Sequence, residues 1–291
     1  MNTALATTAA LSRFLRDYPG LVVLSGAGLS IASGIPAYRD HAGMWQHSKP
    51  ITHQEFVGEP ERRRRYWARS LVGWPIMRDA RPNAAHLALA RLERRGHIRL
   101  LITQNVDRLH QRAGSSAVID LHGRVDQVRC LGCANEVSRE VVQQQLLRDN
   151  PHQPMHAALV RPDGDAEPGA ELVAQIRIPA CGRCGGTLIP DVVFFGGTVP
   201  RERVEACNEA IAGADALLVV GSSLQVYSGF RFCRLARELG KPIAIINPGV
   251  TRGDPLATLK LEADCEPLLT ALAAATSPPP YPPPSAVDSP S

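Results

Sequence analysis

The chain has 291 residues, 44% hydrophobic and 21% charged, with a net charge of +4. That length holds one large domain, or a large one with a smaller companion, and the composition is that of an ordinary globular protein. No apolar run nears the roughly 20 residues of a membrane helix, and so small a charge makes no case for nucleic acid; neither partner is expected.

Residues 1–20 lack the charge and cleavage pattern of a signal peptide. Ala9, Leu11, Phe14 and Leu15 fit one helical face and predict a docked first helix. Leu21–Leu24 then reads as a buried strand running into Ser25-Gly26-Ala27-Gly28. Glycines let a backbone approach an oxyanion, and the helix start beyond them offers unpaired N–H groups, so this is a candidate phosphate site. The stretch continues through Gly34-Ile35-Pro36 to Arg39, placed to return over the same site. The dinucleotide fingerprint is incomplete. Its third glycine is Ile31 here, and no acidic residue follows about 20 residues on, which counts against hydride transfer.

Residues 41–98 read as mainly helical and rich in Trp and Arg, an inserted lobe. The run Arg62-Arg63-Arg64-Arg65, followed by Tyr66-Trp67-Ala68-Arg69, reads as the solvated face of a helix. A helix over Ala84–Arg95 leads to a strand at Leu100–Thr103 and then to Gln104-Asn105-Val106-Asp107. Asn105 and Asp107, two apart at a strand end, suit the grip of a carboxamide. They equally suit an Asx turn capping the next helix, and both readings stay open. The short run Val118–Leu121 ends in His122-Gly123, which makes His122 the candidate acid-base group. His86 and His110 read as helix residues.

Cys130-x2-Cys133 and Cys181-x2-Cys184 suit one tetrahedral zinc with four thiolates. Four thiolates leave no open position, so this metal is expected to be structural. Seven cysteines, an odd number, suit a reducing compartment better than a disulfide framework. Roughly residues 144–178, between the pairs, carry scattered Pro, Gly and Asp and read as a loop. Pro190-Asp191-Val192-Val193-Phe194-Phe195-Gly196-Gly197 is an apolar extended segment, either core or an edge for strand addition. Further strands at Ala216–Val220 and Ile243–Ile246 run into Gly221-Ser222-Ser223 and Asn247-Pro248-Gly249, with a helix over Gly229–Leu239 between them. Strands alternating with helices predict a parallel sheet covered on both faces, with ligand at its carboxyl edge. The Pro-rich tail from Ser277 is expected to be disordered.

In this order the motifs resemble the sirtuins, NAD-dependent protein lysine deacylases. The matching residues are Gly26–Ser30, Ser33–Arg39, Gly43-Met44-Trp45, Thr103–Asp107, Leu121-His122-Gly123, the four cysteines, Pro190–Gly196, Gly221–Tyr227 and Ile246-Asn247. Arg65–Arg69 with Val72-Gly73-Trp74-Pro75 are similar to the class II branch. Tyr38, Gly197 and Ser222 depart from the commoner Phe, acidic residue and Thr. The resemblance implies an α/β fold, a Rossmann-like parallel-sheet domain (residues 1–40, 101–125 and 190–276) with a smaller zinc-ribbon plus helical module. In that division residues 41–100 form the helical insert, 126–189 the zinc-binding module and 277–291 the tail.

The resemblance further implies NAD as co-substrate, one structural zinc, and acylated lysine side chains of proteins as partners. His122 would be the general base, with Asn105 and Asp107 holding the nicotinamide carboxamide. Gly26, Ala27, Gly28, Ser30, Ile35, Pro36, Tyr38, Arg39, Gln104 and Val106 would bind the cofactor's ribose and phosphate side. Gly221, Ser222, Ser223, Asn247, Gly249 and Cys265 would line the adenosine side, and Val192, Val193 and Phe194 would pair with substrate peptide. Deacetylation is the leading expectation. ADP-ribosyl transfer, removal of a long-chain or lipoyl-type acyl group, and a zinc-stabilised NAD-binding scaffold are the alternatives. A bacterial, cytoplasmic protein is expected.

Overall fold

The computed structural model describes residues 2–37, 50–151 and 170–276. Tyr38, Arg39, Gly43-Met44-Trp45 and the Pro-rich tail lie outside these, as does most of the expected loop between the cysteine pairs.

The chain begins with α1 (Asn2–Asp17) and β1 (Leu21–Ser25), and two short 3-10 turns follow. After them come α2 (His53–Gly58), α3 (Pro60–Asp79) and α4 (Ala84–Arg94), then β2 (Ile98–Thr103), α5 (Leu109–Arg112) and β3 (Val118–Asp120). The middle section is β4 (Gly123–Cys130), β5 (Glu136–Ser138), α6 (Arg139–Asp149), α7 (Ala170–Gln175) and β6 (Leu188–Val192). The remainder is α8 (Arg201–Gly213), β7 (Ala216–Val220), α9 (Tyr227–Glu238), β8 (Ile243–Ile246), β9 (Leu259–Leu261) and α10 (Cys265–Ala275).

Six strands form one parallel sheet in the order β3-β2-β1-β7-β8-β9. Its strands are apolar on both faces, as a sheet covered twice requires. Alternation within β1 shows the division. Leu21 and Val23 join Leu11, Phe14 and Leu15 of α1, Leu89 and Leu92 of α4, and Leu269 and Leu272 of α10. Val22 and Leu24 face the other way, toward Ile211 of α8 and Phe232 and Ala236 of α9.

A second, antiparallel sheet has the order β5-β4-β6. Its core joins Val128, Val142, Leu146 and Leu188 to Phe56, Tyr66, Trp67 and Leu71 of α2 and α3. The helical insert and the cysteine-bearing segment therefore share one hydrophobic core. Arg139 ties them: buried, it donates to the Ser70 carbonyl at 2.9 Å and lies over the Trp67 and Trp74 rings at 5.6 and 5.2 Å.

Three details differ from the sequence reading. α4, grouped there with the helical insert, packs on the large sheet through Ala85, Ala88, Leu89 and Leu92. Residues 144–149 continue α6, because Val142 and Leu146 are one helical turn apart and both buried. β9 escaped notice because Lys260 interrupts a run of only three residues. The Arg62–Arg65 run lies along α3 as expected, with Arg62 beside Glu55 and Glu59 and Arg64 beside Glu61, but Tyr66–Arg69 after it are buried and do not belong to a solvated face.

Candidate active site

The strand order leaves β1 and β7 as the central neighbours from which the two halves of the sheet run outward, so the crevice opens beyond their carboxyl ends. There Gly28 N donates to the Gly221 carbonyl at 2.8 Å. A Cβ on Gly28 would lie 2.8 Å from that oxygen, and one on Gly26 would lie 2.7 Å from Ser222 Cβ. Gly221 itself has φ +60°, and a Cβ there would collide with Leu29 N. The glycines thus let two loops meet at the floor of the crevice, leaving a backbone cradle that a side chain would fill.

Around this floor lies a cavity of about 1230 Å³. It brings together Gly26, Ala27, Gly28, Ser30, Ile35, Gln104, Asn105, Val106, Asp107 and His122 from the expected set. Val192, Val193, Phe194, Gly221, Ser222, Ser223, Asn247 and Cys265 line it as well. Pro36 and Gly249 do not reach the wall. Gly249 instead accepts hydrogen bonds from Asn247 Nδ2 and Lys260 Nζ, each at 2.9 Å, and so shapes the loop behind it. Tyr38 and Arg39 fall outside the described residues.

The loop after β2 holds the polar centre. Asn105 Nδ2 donates at 3.0 Å both to the Gly26 carbonyl and to Ser30 Oγ. Ser30 Oγ in turn donates to Asp107 Oδ2 at 2.7 Å. The other carboxylate oxygen, Asp107 Oδ1, accepts from Leu109 N at 2.9 Å, which is the Asx turn. Asp107 therefore makes the Asx turn that leads into α5 and also lines the cavity. Burial pushes the Asp107 carboxyl up from its ordinary value, opposed by these two hydrogen bonds.

His122 stands at the turn between β3 and β4. Gly123 allows that turn with φ +81°, and Val193 N donates to the His122 carbonyl at 2.8 Å. The ring has Nδ1 3.0 Å from the Gln104 carbonyl oxygen and Nε2 2.7 Å from Ser228 Oγ. Burial pushes its pKa down to about 4; the Gln104 bond raises it and the Arg203 charge lowers it further. The ring is neutral at pH 7. A carbonyl only accepts, so Nδ1 carries the hydrogen and Nε2 is the basic nitrogen.

Behind the site, Ser25 Oγ donates to Thr103 Oγ1 at 2.9 Å, and His110 Nε2 lies 2.8 Å from Ser25 Oγ. Asn105 N donates to the same Thr103 oxygen at 3.1 Å, so the strand ends support the polar loop. His86 packs edge-on against His110 with ring centroids 5.0 Å apart. Burial lowers their pKa values to about 3 and about 4.

The four cysteine sulfurs lie within 4.8 Å of one another. The Cys130–Cys184 and Cys133–Cys181 pairs are 3.5 and 3.7 Å apart, and a zinc–sulfur distance of about 2.3 Å in a tetrahedron gives about 3.8 Å. A Cβ on Gly186 would lie 3.1 Å from both Cys130 Sγ and Cys184 Sγ, so that knuckle admits little but glycine. The donor set fits a four-coordinate structural zinc.

Sequence reasoning missed Ser228, Arg231 and Glu266 in the cavity wall. The signal for Ser228 was its place in the first turn of a helix after a polar strand-end loop. A lone hydroxyl there reads as an ordinary helix start.

The Sir2 family model matches residues 26–228. An NAD-dependent protein deacetylase of Xanthomonas campestris pv. campestris (strain 8004) is 56% identical over 266 residues, 91% of each chain. One of Bordetella bronchiseptica is 51% identical over 269 residues, 92% of this chain and 98% of the relative. A Sir2 structure with a deacetylated p53 peptide and 3'-O-acetyl ADP-ribose superposes with TM-score 0.74 at 29% identity, covering 92% of this chain and 97% of the other.

Proposed function

The chain belongs to the Sir2 family, and from that premise we propose that it is an NAD-dependent protein-lysine deacylase acting on acetyl-lysine. NAD is a co-substrate: together with acyl-lysine and water it gives nicotinamide, O-acyl-ADP-ribose and the free lysine. The observation that carries the reading is the placement of His122 in the wall of the cavity that Asn105 and Asp107 also line, with its Nδ1 held by the Gln104 carbonyl at 3.0 Å.

In a reaction of this class the acyl oxygen attacks C1′ of the nicotinamide ribose as nicotinamide leaves. Asn105 and Asp107 would hold the carboxamide. Asn105 is held in place by its Nδ2 bonds to the Gly26 carbonyl and Ser30 Oγ, and the buried Asp107 carboxyl is anchored by Leu109 N and Ser30. His122 Nε2 would take a proton from a ribose hydroxyl, general-base catalysis in reach of a neutral imidazole. The walls of Ile35, Val106, Val192 and Phe194 would keep water from the electron-poor C1′, where it would hydrolyse NAD. Val192–Phe194 would align substrate peptide beside His122, the segment being tethered to it by the Val193–His122 bond. Cys130, Cys133, Cys181 and Cys184 would hold a zinc that braces the antiparallel sheet and takes no part in the chemistry.

Among the described residues no helix is long and apolar enough to cross a membrane. A bacterial cytoplasm is our proposed location, supported by bacterial relatives and by a thiolate metal site that suits reducing conditions.

The test is a mass-spectrometric panel of acyl-lysine peptides with NAD. Peptide-dependent nicotinamide release with O-acetyl-ADP-ribose as product is the expected result. Transfer of adenine label to protein without deacylation would replace this reading with ADP-ribosyl transfer, and a preference for longer acyl groups would change the substrate.

A further inference from the structure

His122 is held at both ring nitrogens, by partners of opposite kind. The Gln104 carbonyl can only accept, and it fixes the hydrogen on Nδ1. Nε2 is then a lone pair, and the hydroxyl facing it at 2.7 Å, Ser228 Oγ, is its donor. We propose that Ser228 is the positioning residue of the reaction's base: with Gln104 it fixes the rotation and tautomer of His122 and keeps Nε2 aimed at the cavity. The inference rests on the reading of His122 as the base.

The chain around Ser228 is shaped for this contact. Ser228 lies in the first turn of α9, and its hydroxyl meets the ring from there. The next residue, Gly229, is buried, and a Cβ there would lie 2.7 Å from Gln104 Oε1. Ser228 and Gly229 thus receive, side by side, the base and the residue whose backbone orients it. Gln104 Nε2 continues to Ser222 Oγ at 2.8 Å, so the support is linked to the loop after β7.

Charges around the ring do not supply this orientation. Arg203 of α8 opposes protonation of His122 and lies 4.0 Å from Asp191 of β6. Arg231 of α9 lines the same cavity. Among the described residues no carboxylate is hydrogen-bonded to the ring, so the two neutral groups, Gln104 and Ser228, set its pose. With NAD bound, a ribose hydroxyl would replace Ser228 at Nε2; its O–H proton would pass to Nε2, and Ser228 would keep its own proton.

The experiment uses the zinc-loaded full chain as wild type, Ser228→Ala and Ser228→Thr. Two readouts are taken: the midpoint of the His122 imidazole by NMR titration without NAD, and the acid limb of kcat/KM with an acetyl-lysine peptide. A hydrogen bond donated to Nε2 stabilises the neutral ring, so its loss raises the midpoint. Ser228→Ala is expected to raise both the midpoint and the acid limb by roughly half to one pH unit. It should also lower kcat/KM about tenfold at neutral pH, because the free enzyme presents a less ordered ring, and Ser228→Thr should restore all three. An unmoved midpoint in folded Ser228→Ala, or a threonine variant that behaves like alanine, overturns the proposal. Should the alanine variant not fold, Ser228→Cys, similar in size but a weak donor, is read by the same criteria. If wild type turns over no acyl peptide, the deacylase reading falls, and the NMR midpoint still decides whether Ser228 governs His122.

Discussion

Gly28 and Gly221 meet backbone to backbone, the N–H of one on the carbonyl of the other at 2.8 Å, and this single contact closes the floor of the crevice. Gly221→Ala places a Cβ against Leu29 N at a residue with φ +60°. The left-handed conformation costs about 1–2 kcal/mol for an L-residue, and the collision adds to it. We expect a loss of about 2–4 kcal/mol in urea unfolding and at least tenfold weaker NAD binding by calorimetry. Gly34→Ala is the control. Its φ is +83°, yet nothing lies within 4 Å of the added carbon, so only about 1 kcal/mol is expected.

His122→Ala removes the basic nitrogen from a site whose other members are held by their own bonds. Peptide-dependent nicotinamide release should fall by about 10²–10⁴-fold, with NAD still bound. A variant that kept wild-type turnover would remove His122 from the role of base.

Asp107 invites a paired test, because it closes the turn into α5 and lines the site at once. Asp107→Ala leaves Leu109 N and Ser30 Oγ without their acceptor and should cost about 1–3 kcal/mol of stability. Asp107→Asn keeps an acceptor for Leu109 N and should fold within about 1 kcal/mol of wild type. Its deacylation should nevertheless drop by at least about tenfold. Equal loss of stability in both variants would reduce Asp107 to the closure of that turn.

Metal removal should strike the antiparallel sheet first. Chelation or Cys181→Ser is expected to release one zinc per chain and to lower Tm, with hydrogen exchange rising across β4, β5 and β6 before β1 and β7. A zinc-free protein with unchanged Tm and activity would refute the structural assignment.

Three buried imidazoles make stability depend on pH. His86, His110 and His122 have pKa values pushed down by burial to about 3, about 4 and about 4, against about 6.5 in the unfolded chain. The unfolded state therefore binds more protons between those values, and stability falls as pH drops from about 7 toward 4. Asp107, Asp120 and Asp191, whose pKa values are raised by burial, act in the opposite sense at the acid end. The histidine contribution is thus best read between pH 7 and 5, where each ring contributes on the order of 2 kcal/mol at most. Urea unfolding of His110→Gln should show a shallower slope over this interval.

The large sheet was legible because its strands are apolar runs that stop at glycine, serine or asparagine, as Leu21–Ser25 and Ala216–Val220 do. Asn105, Asp107 and His122 were legible for a related reason: each stands just past a strand end, where parallel strands gather their loops. What the chain does not announce is mutual fit. Nothing local says that Gly28 needs Gly221, that α4 covers the large sheet while α3 covers the small one, or that the hydroxyl meeting His122 comes from residue 228. These are contacts between segments far apart in sequence, and no periodicity encodes them.

The antiparallel sheet leaves the large one at His122 and returns at Val193, and those two residues share a 2.8 Å hydrogen bond. An excursion whose departure and return are stapled together is, in engineering terms, a cassette. That bond sets the spacing between His122 and the Val192–Phe194 segment. The long segment between the cysteine pairs lies inside this cassette. The staple therefore couples the candidate base to the Val192–Phe194 segment through a single backbone bond.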